Sequence, residues 1–253
     1  MFPTGSPWRR DPFWHLHSSE RHYILTENIF TKRELQRNEF PTNIKTGLVV
    51  TPRWSRERLQ NEAAALQYIT SETSIPVPQF IDLFDHNGVL HLQTKRVRGT
   101  PLDEIDKASA PTAVKCVNAY MESTVLPQLR KLRHNTLGSV NRHLPLLLPS
   151  KITYRDKRSS WVRHKSHTQD FVFCHNDLGQ HNIFVDPKTF VVTAIIDWEF
   201  AGFFPPEFEN KMWWHAWDQT TKDDERTDQW IRWLSTFDGR IGFDGGDRRL
   251  HAD

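Results

Sequence analysis

Apolar and polar positions along the chain divide it into a strand-rich first third and a helix-rich remainder. "RHYILTENIF" (21–30) reads as a short strand, and "TGLVVT" (46–51) as a second one, β-branched and stopped by Pro52. From Ser55 the period changes. "SRERLQNEAAALQYITSE" is built from good helix formers, with Leu59, Ala63, Leu66 and Ile69 at helical spacing. Ser55 is the expected N-cap, without a capping box because Arg58 rather than an acid stands three residues on. The prolines of "SIPVPQF" break this helix, since each lacks a donor and restrains the residue before it. "QFIDLFDHNGVLHLQTKRV" then predicts a hairpin turned at Asn87-Gly88, where both residues tolerate positive φ.

Beyond a crossover at "RGTPLDEI", residues 111–133 predict a helix, with Val114, Val117, Met121, Val125, Leu129 and Leu132 on one face. An irregular polar stretch follows the leucine run at 146–148, and two apolar runs, "FVFC" and "FVVTAII", each end in polar residues. "KMWWHAWDQTTKDDERTDQWIRWLSTF" predicts a further helical segment. The organisation expected is α+β: an irregular arm at 1–20, a small mixed lobe at 21–97, a larger and mainly helical lobe at 98–240, and a frayed tail at 241–253. No internal repeat is present.

Composition narrows the class. The 253 residues, 37% hydrophobic and 12% aromatic, suffice for a sizeable core. A net charge of +2 offers no global field for nucleic acid, and the basic clusters at 53–58 and 151–158 are mixed with other residue types, as solvated surfaces are. Two cysteines, Cys116 and Cys174, make no disulfide framework and fit a reducing compartment. The first twenty residues lack the apolar run of a secretory signal, and no apolar run reaches the length of about 18 residues that a membrane span needs. The expectation is a cytoplasmic protein that binds neither membrane nor nucleic acid.

The chemistry concentrates in "FVFCHNDLGQHNIFVD" (171–186), which sets His175, Asp177, His181 and Asn182 between apolar runs. "HNIFVDPKTFVVTAIIDWE" predicts a hairpin, and a turn centred between Thr189 and Phe190 would set Asn182 opposite Asp197. Residues so opposed have β-carbons about 4.5–5.5 Å apart, close enough for both oxygens to hold one hard cation such as Mg²⁺. Asp177, five residues before Asn182, lies on the loop leading in. A carboxylate to take a hydroxyl proton, with an asparagine and an aspartate on metal, are the parts of phosphoryl transfer, and the five-residue spacing is that of a kinase catalytic loop.

"HNDLGQHN", followed after the hairpin by "IIDWEFAGFFPPEFE", resembles the aminoglycoside phosphotransferase and choline-kinase-like family, its fungal branch in particular. The match is concentrated over 171–209 and diffuse over about 46–140. The resemblance implies a two-lobed protein-kinase-like fold, with a small N-terminal sheet lobe that carries one helix and binds nucleotide. It implies transfer of the γ-phosphate of ATP, with Mg²⁺, to a hydroxyl of a small molecule. Asp177 would be the catalytic base, His175 a loop-positioning residue, and Asn182 and Asp197 the metal ligands, with Glu199 a second acid beside them. Glu62 would pair with a nucleotide-binding lysine, and Gln93, Thr94 and Lys95 would form the hinge that holds the adenine. Aromatic faces and carboxylates both attract ammonium groups, so Trp213, close to Glu207 and Glu209, is a candidate for a cationic substrate, with core packing as the alternative.

Two features depart from the family. The strand before the Glu62 helix, Leu48–Thr51, carries no lysine, which leaves Lys45 just before it and Arg53 just after. No glycine-rich loop precedes it either, since the glycines before Gly88 are Gly5 and Gly47. Two other readings therefore stand beside the kinase: an inactive kinase-like protein that binds a ligand or partner, and a metal-dependent hydrolase using His175 and His181. The thiol of Cys174, next to His175, reads as a small core residue rather than a nucleophile.

Overall fold

In the computed structural model, the described residues are 14–214 and 224–238. Five antiparallel strands, β1 (Trp14–His17), β2 (His22–Leu25), β3 (Ile29–Arg33), β4 (Phe80–His86) and β5 (Val89–Lys95), form one sheet in the order β1-β2-β3-β5-β4. Helix α1 (Ser55–Glu72) lies between β3 and β4 in sequence and packs Leu59 and Ala63 against Leu90 and Leu92 of β5. The Asn87-Gly88 turn forms as expected, with φ of 53° and 80°.

Four expectations are corrected in this region. The single strand over 21–30 is a hairpin: the Thr26 hydroxyl accepts the Ile29 amide at 3.0 Å and donates to the Ile29 carbonyl at 3.1 Å, closing a turn inside what reads as one apolar run. Residues 14–17, expected in an irregular arm, form edge strand β1; residues 1–13 and the tail at 241–253 lie outside the described residues. The 46–51 segment is not a sheet strand. It makes one isolated bridge, Thr42 to Val49, and leaves Leu48 and Val49 69% and 62% exposed, because β5 already occupies the free edge of β3. The N-cap of α1 is Trp54 in a left-handed conformation (φ 50°), not Ser55.

The remainder mixes helices with short strands. After β6 (Thr100–Pro101) come α2 (Ala110–Tyr120), a π turn (Met121–Val125) and α3 (Leu126–Lys131), together spanning the predicted 111–133 helix. Pro127 cannot donate an amide hydrogen bond inside this run, which suits the change in winding just before it. Short elements follow: β7 (Arg133–His134), α4 (Ser150–Arg155), β8 (Phe171–Cys174), β9 (Ile183–Val185), β10 (Val192–Ile195), β11 (Gly202–Phe204) and α5 (Asp224–Ser235). They make two three-stranded sheets, β10-β9-β6 and β11-β8-β7. Val117, Met121, Val125 and Leu129 meet Phe173, Trp198 and Trp230 in one apolar cluster, which also takes in Ala65, Leu66 and Ile69 of α1.

Helix α1 is not a simple amphipathic helix. Arg58, Asn61 and Glu62, at i, i+3 and i+4, are all buried beside its apolar residues. Asn61 donates its side-chain amide to the carbonyls of Glu199 (3.0 Å) and Ala201 (2.8 Å), tying α1 to the turn before β11. Replacing Asn61 by leucine leaves two buried carbonyls without that donor. The expected loss is about 2 kcal/mol of unfolding free energy in a urea titration.

Candidate active site

Strand β3 supplies the basic group that was sought elsewhere. The Lys32 ammonium donates to both Glu62 carboxylate oxygens at 2.8 Å and to Asp197 Oδ1 at 2.6 Å. It is buried, as is Glu62. Burial alone would lower the Lys32 pKa, but Asp197 and Glu62 outweigh it and hold the ammonium charged, above its ordinary range. Burial raises the Glu62 carboxyl against the pull of Lys32. For Asp197 the balance runs the other way: Lys32 outweighs burial and keeps the carboxyl below its usual range. Lys45 is exposed on the 41–50 loop, and Arg53 stacks on Trp54 and donates to the carbonyls of Arg158 and Ser159. Neither approaches Glu62. The signal missed was the Thr-Glu-Asn turn: reading through it hid β3 and the alternation that puts Phe30 and Lys32 on one face.

Above this group opens a cleft enclosing about 480 Å³ of space, open solvent included, lined by Leu25, Phe30, Leu92, Val97, Phe184 and Ile196, with Lys32, Glu62 and Asp197 among its charged residues. A mostly apolar pocket with a few convergent polar groups is what a small-molecule site requires. Thr94 and Lys95 line it together with Arg96 and Val97. Gln93 does not: strand alternation turns it to the other face, where it bonds Thr31 at 3.4 Å.

The loop after β8 is held by its own backbone. His175 is fully buried; its Nε2 donates to the Ile196 carbonyl at 2.9 Å and its Nδ1 accepts the Asp177 amide at 3.2 Å. Burial keeps this ring neutral, which the two contacts need. With both nitrogens engaged it has no lone pair for zinc. Among the described residues neither His175 nor His181 belongs to a side-chain group able to hold a metal, which removes the basis of the hydrolase reading. Asn176, in a left-handed conformation (φ 70°), donates its side chain to the Phe200 carbonyl at 2.9 Å.

Asp177 leaves part of its carboxylate exposed. His181 Nε2 stands 3.9 Å from its Oδ2, an ion-pair distance rather than a hydrogen bond. Burial would raise the Asp177 carboxyl, but His181, His175 and Lys151 outweigh that and keep it below its usual range. The Asn182 side-chain amide donates to the Asp177 carbonyl at 2.7 Å, with Asp177 Oδ2 at 3.4 Å, which leaves the amide oxygen available.

The expected pairing of Asn182 with Asp197 is corrected by one residue. Ile183 pairs with Ile195, and the Ile196 amide donates to the Asn182 carbonyl at 2.9 Å, so Asn182 faces Ile196. The turn, where Asp186 Oδ1 accepts the Lys188 and Thr189 amides, sets Val192 opposite Val185, and a bulge between Val192 and Ala194 then shifts the register by one residue to bring Ile196 opposite Asn182. Asp197 then leaves the strand in a left-handed conformation (φ 66°) and begins a 3-10 turn, Trp198–Phe200.

Three further candidates take different places from those expected. Glu199 is buried and binds two guanidiniums, Arg58 Nη2 and Arg21 Nη2, while one of its oxygens also lies within 4.8 Å of carboxylate oxygens of Glu62 and Asp197, a spacing at which the three could hold a metal ion. Trp213 is fully buried, donates to Asn118 at 3.2 Å and accepts Gln180 through its carbonyl, and so offers no open aromatic face. Glu209 accepts the backbone amides of His175 and Asn176, which makes it a brace for the loop; Glu207 sits two residues earlier on a 3-10 turn.

A small antiparallel sheet thus carries a lysine paired to a glutamate on the next helix, and an aspartate loop and a hairpin ending beside a second aspartate stand with it. The sequence profile described as the phosphotransferase enzyme family (APH) matches residues 6–245, and the chain belongs to that family. No curated protein sequence matches it. Among solved structures, the chain is similar to aminoglycoside phosphotransferase APH(3'')-Id from Streptomyces rimosus, with a TM-score of 0.52, 16% identity, and coverage of 92% of this chain and 87% of that one. It is also similar to a thermostable mutant of APH(4)-Ia in ternary complex with AMP-PNP and hygromycin B, with a TM-score of 0.50, 12% identity, and coverage of 90% and 88%. At these identities the likeness shows the fold.

The Glu209 carboxyl is pushed up to about 7 by burial, against the pull of the two amides it accepts. In the unfolded chain it would ionise in the ordinary range. As pH rises, the unfolded state loses this proton first, so the folded state loses relative stability until its own carboxyl ionises near 7. Compared with Glu209→Gln, which does not titrate, the wild-type melting temperature should be most favourable below pH 4.5 and decline steadily toward pH 7. A difference between the two proteins that stays flat across that window would refute the assignment.

Proposed function

We propose that this protein transfers the γ-phosphate of ATP to a hydroxyl of a small molecule, using Mg²⁺, from a cleft between a small N-terminal lobe and a larger C-terminal one. The observation that carries this reading is the Lys32–Glu62–Asp197 group beneath an apolar cleft. The adenine would lie among Leu25, Phe30, Phe184 and Ile196, beside the connection at Lys95–Val97. Lys32, held by Glu62, would meet the phosphates. Of the two motives for the inactive-protein reading, Lys32 answers the missing lysine, and the missing glycine-rich loop stands.

Asp177, anionic and held by Asn182, would orient the acceptor hydroxyl and take its proton. Asn182 keeps its amide oxygen and Asp197 its second carboxylate oxygen, and an oxygen-only donor set suits Mg²⁺. When bound there, the metal would neutralise charge on the phosphates. Both cysteines are free, in keeping with a reducing cytoplasmic setting, and no helix among the described residues is long and apolar enough to cross a membrane.

ATP with Mg²⁺ is expected to raise the melting temperature, and EDTA to abolish that shift. With a panel of hydroxyl compounds, Asp177→Asn should lower turnover by roughly 10²–10⁴-fold while ATP affinity stays within about twofold. Lys32→Met should instead abolish the ATP shift. No shift at millimolar nucleotide, or full turnover in Asp177→Asn, contradicts the reading.

A further inference from the structure

The β1–β2 turn, residues 18–21, has no glycine and is pinned from within. Ser18 accepts the amides of Glu20 (3.2 Å) and Arg21 (2.9 Å) on its hydroxyl and donates that hydroxyl to the Arg21 carbonyl at 3.2 Å. Register places this turn at the charged end of the cleft. Leu25 pairs with Phe30 at the apolar end, Tyr23 pairs with Lys32 in the middle, and the turn follows.

From the turn, two side chains reach inward. Arg21, only 1% exposed, donates to the Ser55 hydroxyl at the start of α1 and sets Nη2 3.4 Å from Glu199 Oε2. Glu20 takes Arg58 Nη1 at 2.6 Å, and Arg58 Nη2 binds the other oxygen of Glu199. One buried carboxylate, two residues beyond Asp197, is thus shared by a guanidinium from the turn and a guanidinium from α1. Tyr23 lies on the same face of β2 as Arg21, close enough to Lys32, Asp197 and Glu199 to feel their charge.

We propose that Arg21 is a positioning residue whose buried ion pair with Glu199 docks the β1–β2 turn onto the Asp197 turn and α1. A fixed salt bridge thereby does the work that a mobile glycine-rich backbone would do in shaping the phosphate end of the cleft. The consequence for nucleotide affinity rests on the function proposed above; the docking itself does not. Glu199 is on this account a structural anchor for the turn, beside the Glu62 and Asp197 carboxylates that line the cleft.

Two measurements on the whole chain test this. In amide hydrogen exchange without nucleotide, Arg21→Gln should speed exchange at 18–22 and 197–201 and leave α2 unchanged. In titrations with a fluorescent ATP analogue and Mg²⁺, the same variant should bind about tenfold more weakly, a coupling of ordinary size between two sites. Arg21→Lys should rescue only in part, because an ammonium cannot fork to Ser55 and Glu199 together. If Arg21→Gln does not fold, Ser55→Ala decides the matter, with smaller changes expected in the same direction. Unchanged exchange at both segments in a folded variant overturns the docking, and a lower melting temperature with unchanged nucleotide affinity overturns the positioning role. Should the wild-type protein bind no nucleotide, the functional reading falls while exchange still judges the docking.

Discussion

The structure turns on one ammonium group. Lys32 stands between Glu62 of α1 and Asp197 of the hairpin end, and so joins the N-terminal sheet, the first helix and the segment after β10 at a single point. Burying such a charge is unfavourable unless it is paired and hydrogen-bonded, and here it meets three carboxylate oxygens. The surroundings complete the balance. Arg21 and Arg58 share Glu199 in the same way, with Glu20 as a further, more exposed partner of Arg58. Removing Lys32 leaves the buried Glu62 without its cation, a loss of about 3–5 kcal/mol for such pairs.

Around that point, the loop bearing Asp177 is shaped by contacts that leave its carboxylate partly exposed. His175 bridges the Asp177 amide and the Ile196 carbonyl, Glu209 takes two loop amides, and Asn182 holds the Asp177 carbonyl. These buried polar groups are satisfied by backbone partners rather than by one another, which fixes the loop against both strands of the hairpin. The left-handed conformations of Asn176 and Asp197 fall at the two places where chain direction changes sharply, and both residue types tolerate them.

Much of this was legible in the sequence, and the losses have physical causes. The "HNDLGQHN" loop, the 55–72 helix and the Asn87-Gly88 hairpin could be read because each depends on local spacing or turn chemistry. Lys32 could not be found while 21–30 was taken as one strand, because the turn there is closed by a threonine hydroxyl and contains neither glycine nor proline. The apolar stretch at 48–50 then drew the eye as the missing strand, although its side chains lie open to solvent. β-propensity reports fit to a partnered surface, and that segment has almost no partner. Trp213 carries the right chemistry for a cation, but only tertiary contacts reveal that its ring is buried in the core.

The central claim, that Lys32 is the lysine which meets the nucleotide phosphates, can be tested without knowing the acceptor. An acyl-phosphate derivative of ATP transfers its acyl group to the amine nearest the phosphates, and peptide mass spectrometry identifies the lysine modified. The account expects labelling at Lys32, suppressed by excess ATP with Mg²⁺. Labelling at Lys45 or Lys95 instead, or labelling of Lys32 that ATP does not suppress, would contradict it.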